Sequence, residues 1–71
     1  MRALSDVSSG TYQITWMIVL PEIQRQMDNW QITEGSYIDV IASHRDAVII
    51  GKGQRRFIVG KELAERIKVA S

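Results

Sequence analysis

The sequence predicts a mostly β domain that folds into a small, partly open β-barrel of about five short strands. Isoleucine and valine together occupy 16 positions and leucine three, and β-branched side chains favour pleated sheets over helices. The apolar segments are short and end at polar or glycine-containing turns, which is typical of hairpins. Because the chain has 71 residues, it can build only one core, and we expect a single domain over residues 1–71. Short strands that must cover their edges in so small a domain favour an SH3-like barrel.

The composition argues against several functional classes. Nine lysines and arginines against eight acidic residues leave a formal charge of +1, which does not favour nucleic acid as a partner. The chain has no cysteine, so it has no disulfide framework and no thiolate zinc site, and we expect it in the cytoplasm. The longest unbroken apolar run covers residues 16–20 and is too short to span a membrane, so we expect the chain to be soluble.

Turn-forming residues divide the start of the chain into two elements. Leu4–Gly10 is predicted to be a lead-in that ends at a glycine-assisted turn. The first strand should run from Thr11 to about Val19, with Tyr12, Ile14 and Trp16 on one face by the period of two. We therefore expect Trp16 to pack in the core.

The only proline marks the start of a predicted helix over Pro21–Asn29. Proline fits the first helical turn, and Glu22 complements the helix dipole there. Ile23, Met27 and Trp30 are spaced i, i+4 and i+7, so they should form an apolar stripe that packs on the sheet.

Alternating apolar segments make up the second half. We expect a short helical turn over residues 61–66, because these are good helix formers that span little more than one turn. The predicted strands are Ser36–Ile41, Ala47–Ile50, Arg56–Val59 and Ile67–Val69, with turns at Ser43–Asp46 and Gly51–Gln54.

The order and spacing of particular residues over nearly the whole chain resemble those of a known family. These residues are Leu4-Ser5-Asp6-Val7, Gly10, Met27, Trp30, Ile32, Gly35, Tyr37-Ile38-Asp39-Val40-Ile41, Val48-Ile49-Ile50, Gly53, Arg56-Phe57-Ile58-Val59-Gly60-Lys61-Glu62-Leu63-Ala64 and Ile67-Lys68-Val69. The pattern is similar to the FeoA family, ferrous iron transport protein A, whose SH3-like domain is shared with the C-terminal domain of iron-dependent repressors.

The chain departs from this family pattern between the helix and the second strand. Family members usually have glycine where Gln31 stands and proline where Glu34 stands, before Gly35. A left-handed conformation at Gln31 would cost about 1 kcal/mol, so we expect the helix to end differently here. The loop at Ser43–Asp46 is also short for the family.

One small group of residues is a weak candidate for a metal site. His44 is the only histidine, Asp46 follows two residues later, and Asp39 lies across a possible hairpin. A lone histidine without a second histidine or cysteine is a poor transition-metal site, so a solvated polar turn is the favoured interpretation. The resemblance implies no shared ligand set. We therefore expect no resident cofactor, and direct binding of Fe(II) stays open.

No motif indicates catalysis. Gly51–Gln54 lacks the spacing of a phosphate loop and precedes no helix. The chain also has no nucleophile elbow, and a domain of this size has little depth to bury a catalytic triad. We expect that the protein is not an enzyme.

Two groups of residues are candidates for binding a partner. By resemblance, the helix and the turn after it belong to the surface that meets the partner, which makes Arg25, Trp30 and Gln31 the first candidates. The second group is basic, and the favoured interpretation is a set of solvated charges that protect sheet edges. The alternative is a docking patch for an acidic partner, for anionic headgroups or, least favoured, for nucleic acid. This group consists of Arg45, Lys52, Arg55, Arg56 and Lys61.

The resemblance implies a non-enzymatic accessory protein of ferrous iron uptake in a prokaryote. It would act from the cytoplasm on the FeoB membrane GTPase and permease, and would meet the inner membrane only through that partner. The alternative is a stand-alone, metal-responsive regulatory domain that binds a divalent metal or a peptide. A repressor would also need a helix-turn-helix domain, for which 71 residues leave no room. A generic peptide-binding SH3-like domain ranks last, because Tyr12, Trp16, Trp30 and Tyr37 are not predicted to lie together.

Overall fold

The β-branched segments form a six-stranded antiparallel sheet, accompanied by two helices. The computed structural model describes residues 1–70. The elements are β1 (Arg2–Ala3), a 3₁₀ turn (Leu4–Asp6), β2 (Gly10–Met17), α1 (Pro21–Asn29), β3 (Tyr37–Ser43), β4 (Ala47–Lys52), β5 (Arg55–Gly60), α2 (Lys61–Ala64) and β6 (Ile67–Ala70). The mostly β, partly open architecture is confirmed. The sheet has one more strand than expected because β1, which precedes the predicted lead-in Leu4–Gly10, pairs with β6.

The strand order is β1-β6-β2-β3-β4-β5. The last strand of the chain therefore lies inside the sheet, antiparallel to both β1 and β2. The edges are β1, which has two residues, and β5, which has six. No helix among residues 1–70 is long and apolar enough to cross a membrane.

The core lies on one face of the curved sheet. Every strand contributes side chains to it, and the contribution of β5 is Val59. No polar or charged side chain is buried among residues 1–70. The largest fully buried side chains are Leu4, Ile14, Ile32, Ile38, Ile50, Ile67, Val48 and Val69. This apolar burial is the main favourable term in the folding of the domain.

A β-bulge in β2 makes one prediction wrong. The pairing register with β6 shifts between Ile14 and Trp16, so Thr15 is the additional residue. A bulge reverses the alternation of faces beyond it. Met17 therefore takes the buried position, while Trp16 is turned outward and is 44% exposed.

Helix α1 has the predicted bounds, Pro21–Asn29. Pro21 stands at its first position and Glu22 lies in its first turn, as the dipole and the missing proline N–H favour. The predicted stripe is also confirmed, because Met27 is buried while Ile23 and Trp30 are partly buried against the core.

The end of α1 does not differ from a glycine-terminated helix, contrary to expectation. Gln31 adopts a φ of 61°, the left-handed conformation that glycine usually supplies. Its N–H donates to the carbonyl of Asp28 at 3.0 Å, and the N–H of Ile32 donates to the carbonyl of Met27 at 2.9 Å. These two bonds are a Schellman motif, and Met27 and Ile32, the two positions whose apolar side chains accompany such a motif, are both buried in the core.

Glu34, the second position at which the chain departs from the family pattern, holds the connection between α1 and β3 in place. A carboxylate oxygen of Glu34 accepts a hydrogen bond from the N–H of Met17 at 3.1 Å. The backbone N–H of Gly35 donates to the carbonyl of Ile14 at 2.7 Å. Glu34 thus ties this loop to the end of β2, a contact that a proline side chain would not make.

Candidate partner-binding surface

Exposed apolar side chains are concentrated beside the two helices. Ile18 is 53%, Leu20 60% and Ile58 77% exposed, and each of them lines a groove on the surface. Large apolar side chains left in water beside a concave surface are typical of interaction sites.

The first groove, called here the helix groove, lies between the segment before α1 and helix α2. It has a volume of about 910 Å³. Both apolar and charged side chains line it, a mixture that is common in protein interfaces. Its lining residues are Ile18, Val19, Leu20, Ile23, Asp46, Gly60, Lys61, Glu62, Leu63 and Arg66.

The second groove, called here the edge groove, separates α1 from β5. It has a volume of about 520 Å³. Two of its lining residues, Trp30 and Phe57, stack on each other with ring centroids 4.8 Å apart and an angle of 28° between the planes. Such a pair adds about 0.5–1.5 kcal/mol to what burial alone contributes. The lining residues are Ile23, Gln26, Met27, Trp30, Ile32, Arg56, Phe57, Ile58, Val59 and Leu63.

The two grooves form one continuous surface, because Ile23 and Leu63 line both. Of the candidates at the helix end, Trp30 lies in the edge groove. Gln31 follows it and is exposed. Arg25 is exposed on α1 but lines neither groove. The structure therefore places Trp30 on this surface and Arg25 outside both grooves.

The five basic candidates do not form one patch. In the β4–β5 ladder, Ala47 pairs with Gly60 and Lys52 with Arg55. The ends of this ladder are five residues apart, which is about 17 Å along a strand. One end carries Lys52, Arg55 and Arg56, and the other end carries Arg45 and Lys61.

Each basic group has its own surroundings. The ammonium group of Lys52 donates to the carbonyl of Tyr37 at 3.1 Å. Arg56 lines the edge groove, and Lys61 lines the helix groove. The backbone N–H of Lys61 donates to the carbonyl of Asp46 at 3.0 Å, which joins α2 to the β3–β4 turn.

The three weak metal candidates lie apart. Asp39 pairs with Gly51 near one end of the β3–β4 hairpin, and a carboxylate oxygen of Asp39 accepts the Thr11 hydroxyl at 2.8 Å. His44 and Asp46 lie in the turn at the other end. Within residues 1–70, no group of three or more acidic or histidine side chains is placed to hold a metal ion.

Sequence reasoning missed the apolar part of this surface. The sequence predicts that the first strand continues through Ile18 to about Val19, but β2 ends at Met17, which leaves Ile18 and Leu20 outside the sheet. The signal was Pro21, since a run that approaches a proline-started helix must leave the sheet. Ile58 and Phe57 belong to a predicted strand, and the alternation there requires one of the two to face outward.

Comparison with known proteins places the chain in a family. Neither a protein-family model nor a curated protein matches the sequence. A solved structure does match, the crystal structure of iron uptake regulatory protein FeoA, with a TM-score of 0.79. The two are 30% identical, over 94% of this chain and 92% of that one. The chain belongs to the FeoA family.

Family membership and the SH3-like fold are therefore confirmed. Membership of the FeoA family also explains the backbone conformation at Gln31, the position at which family members usually have glycine. In this FeoA-family chain, the backbone keeps the left-handed conformation even though a glutamine stands there. The turn after α1, beside Trp30, thus keeps the shape that glycine would give it.

Proposed function

We propose that this FeoA-family protein is a non-enzymatic accessory protein of ferrous iron uptake. It binds the cytoplasmic GTPase part of a FeoB-type membrane permease and modulates it. The observation that carries the proposal is the likeness over 94% of the chain, at 30% identity, to an iron uptake regulatory protein. The adjoining helix and edge grooves supply a surface of the kind that a protein partner covers.

The proposed mechanism is a shift of population in the partner. A module with a fully apolar core and fixed helices presents one shape to whatever it binds. If that shape fits one state of the permease better than the other, binding raises the population of the fitting state. In this proposal iron passes through the partner, and the accessory protein acts from the cytoplasm.

The proposal is tested by titrating the isotope-labelled protein with the nucleotide-loaded GTPase domain of FeoB from the same organism. Two-dimensional amide spectra should show saturable shifts or broadening. These changes should centre on residues of the two grooves, such as Leu20, Trp30, Ile58 and Leu63. Absence of any saturable change under reducing conditions would overturn the proposal.

A second arm of the titration addresses the metal-responsive alternative. The same labelled protein is titrated with Fe(II) or Mn(II) and no partner. The proposal expects no saturable change at Asp39, His44 and Asp46, which the structure places at two ends of a hairpin. Saturable shifts at these residues with metal alone would favour the regulatory-domain interpretation instead.

A further inference from the structure

Strand β5 offers a long free edge. It is the last strand of the sheet, and its six residues pair with β4 in an unbroken register from Ala47–Gly60 to Lys52–Arg55. An edge strand presents a row of N–H and C=O groups that another strand can pair with. The other edge, β1, has only two residues, so β5 is the one long enough to accept a strand.

The turn before β5 determines which of its backbone groups are free. Gly53 has a φ of 63°, and Gln54 does not have a positive φ, which is the pattern of a type II′ hairpin turn. In such a turn the N–H of Arg55 bonds to the carbonyl of Lys52. Hydrogen-bonded and non-bonded pairs then alternate along the ladder. Phe57 and Val59 consequently bond to β4, whereas the N–H groups of Arg56, Ile58 and Gly60 point to the free edge.

This edge has little of the usual protection against pairing. Exposed edge strands are normally blocked by proline, by a bulge or by charged residues along their length. β5 contains no proline and no bulge in its register. Its charges are confined to Arg55 and Arg56 at the start, and its middle presents Ile58 with 77% of the side chain exposed.

The edge groove lies directly beside this free edge. Residues 56–59 of β5 line one side of it and residues of α1 line the other, and the stacked rings of Trp30 and Phe57 link the two sides. A strand added to β5 would direct alternate side chains toward the groove and toward the outer face. The groove is apolar on its strand side and basic where Arg56 lines it.

We propose that β5 is a docking edge for an extended segment of a partner protein, which adds antiparallel as a seventh strand. Backbone hydrogen bonds would give affinity and the side-chain positions specificity, as in other domains that bind by strand addition. The segment should alternate apolar and small residues, because every second side chain would face the largely apolar groove. An added antiparallel strand places its C-terminal residues opposite Arg55 and Arg56, so the segment should end in acidic residues.

The charges at this edge favour such a segment over a second copy of the chain. Two copies that paired through β5 with Ile58 at the centre would bring Arg55, at each end of the pairing, close to the second copy's Lys61, the first residue of α2. Like charges directly opposite each other destabilise strand pairing. Asp39 is the acidic residue in a further groove that Arg55 and Arg56 also line, and its carboxylate accepts a hydrogen bond from the Thr11 hydroxyl.

The inference rests on the proposed function only for the identity of the partner, and its test does not need that partner. The probe is the acetylated, amidated peptide Thr-Val-Thr-Val-Glu-Glu, titrated into the full isotope-labelled chain. We expect saturable shifts along β5 and slowed hydrogen exchange at the N–H groups of Arg56, Ile58 and Gly60. The peptide with two lysines in place of the glutamates should bind about tenfold more weakly.

Charge reversal tests the orientation and the site together. In the double variant Arg55→Glu/Arg56→Glu, the lysine peptide should become the tighter ligand. The matched control Arg2→Glu makes the same type of change on the opposite edge strand, β1, and should leave the preference for the glutamate peptide unchanged. The variant Ile58→Pro removes an outward N–H that β4 does not use and should abolish binding of either peptide.

Three outcomes would overturn the inference. They are an absence of protection at the three outward N–H groups, a peptide preference that survives charge reversal, and protection of these groups in the concentrated protein without peptide, which would indicate self-pairing. If the GTPase domain binds but leaves these N–H groups unprotected, the docking edge fails while the proposed function stands. If the peptide binds as expected and the GTPase domain does not, the proposed function fails alone.

Discussion

Gln31 is a residue whose backbone conformation is sterically unfavourable and is imposed by the surrounding fold. The Schellman motif at the end of α1 needs a left-handed residue, and the chain supplies glutamine there with a φ of 61°. The compensation is local, since both motif hydrogen bonds are formed at 2.9 and 3.0 Å. The burial of Met27 and Ile32, which flank this turn, stabilises it as well.

Replacement Gln31→Gly should therefore raise the free energy of unfolding by about 1 kcal/mol, because glycine adopts this conformation without steric cost. Chemical denaturation monitored by circular dichroism would measure the change. The matched control Gln26→Gly, inside the same helix, should lower stability by about 1 kcal/mol. A loss of stability in Gln31→Gly would contradict the assigned cost.

At the scale of the element, the bulge in β2 determines that Trp16 faces the solvent and Met17 faces the core. Thr15 is the additional residue, and its hydroxyl donates to the carbonyl of Lys68 at 3.1 Å. This bond satisfies a backbone group where the regular ladder between β2 and β6 is interrupted. Trp16 is exposed as a direct result.

We expect Thr15→Val to lower the free energy of unfolding by about 1 kcal/mol, since valine keeps the shape and leaves a half-buried carbonyl without its donor. Thr11→Val is the matched control in the same strand, where the hydroxyl bonds to Asp39 at the exposed surface, and it should change stability by less than about 0.5 kcal/mol. Equal effects in urea denaturation would argue against a special role for the bulge.

At the scale of the whole molecule, the strand order makes the chain's last strand a central one. β6 lies between β1 and β2, and its Ile67 and Val69 are 0% and 1% exposed. Together these two side chains contribute about 3–6 kcal/mol by burial. The total stability expected for a domain of this size is about 4–10 kcal/mol.

Truncation after Arg66 should consequently abolish the folded state, which would appear as collapsed dispersion in an amide spectrum. The comparison is a chain that lacks Met1 and Arg2, whose removal takes away exposed residues and most of a two-residue edge strand. That variant should remain folded. A dispersed spectrum after loss of β6 would contradict the central position of this strand.

The sequence by itself determined the class of the fold, the bounds of α1 and the family. Proline at the first helical position and apolar residues at i, i+4 and i+7 are local signals, and local signals can be read without the fold. The question of a left-handed residue at Gln31 arose only from comparison with the family, and the expectation that the helix would end differently was wrong. The outcome could not be predicted locally, because the burial of Met27 and Ile32 in the core decides whether the strain is accepted.

The tertiary structure alone decided where the surface lies. Five basic residues that are close in sequence lie at two opposite ends of the β4–β5 ladder. The reason is that the turn of an antiparallel hairpin lies at one end of the ladder, whereas the start of its first strand and the end of its second lie at the other. Trp30 and Phe57, which are far apart in sequence, stack on each other. β5 is left at the edge of the sheet by the strand order. No local pattern encodes such pairings, since they follow from the order in which strands assemble into the sheet.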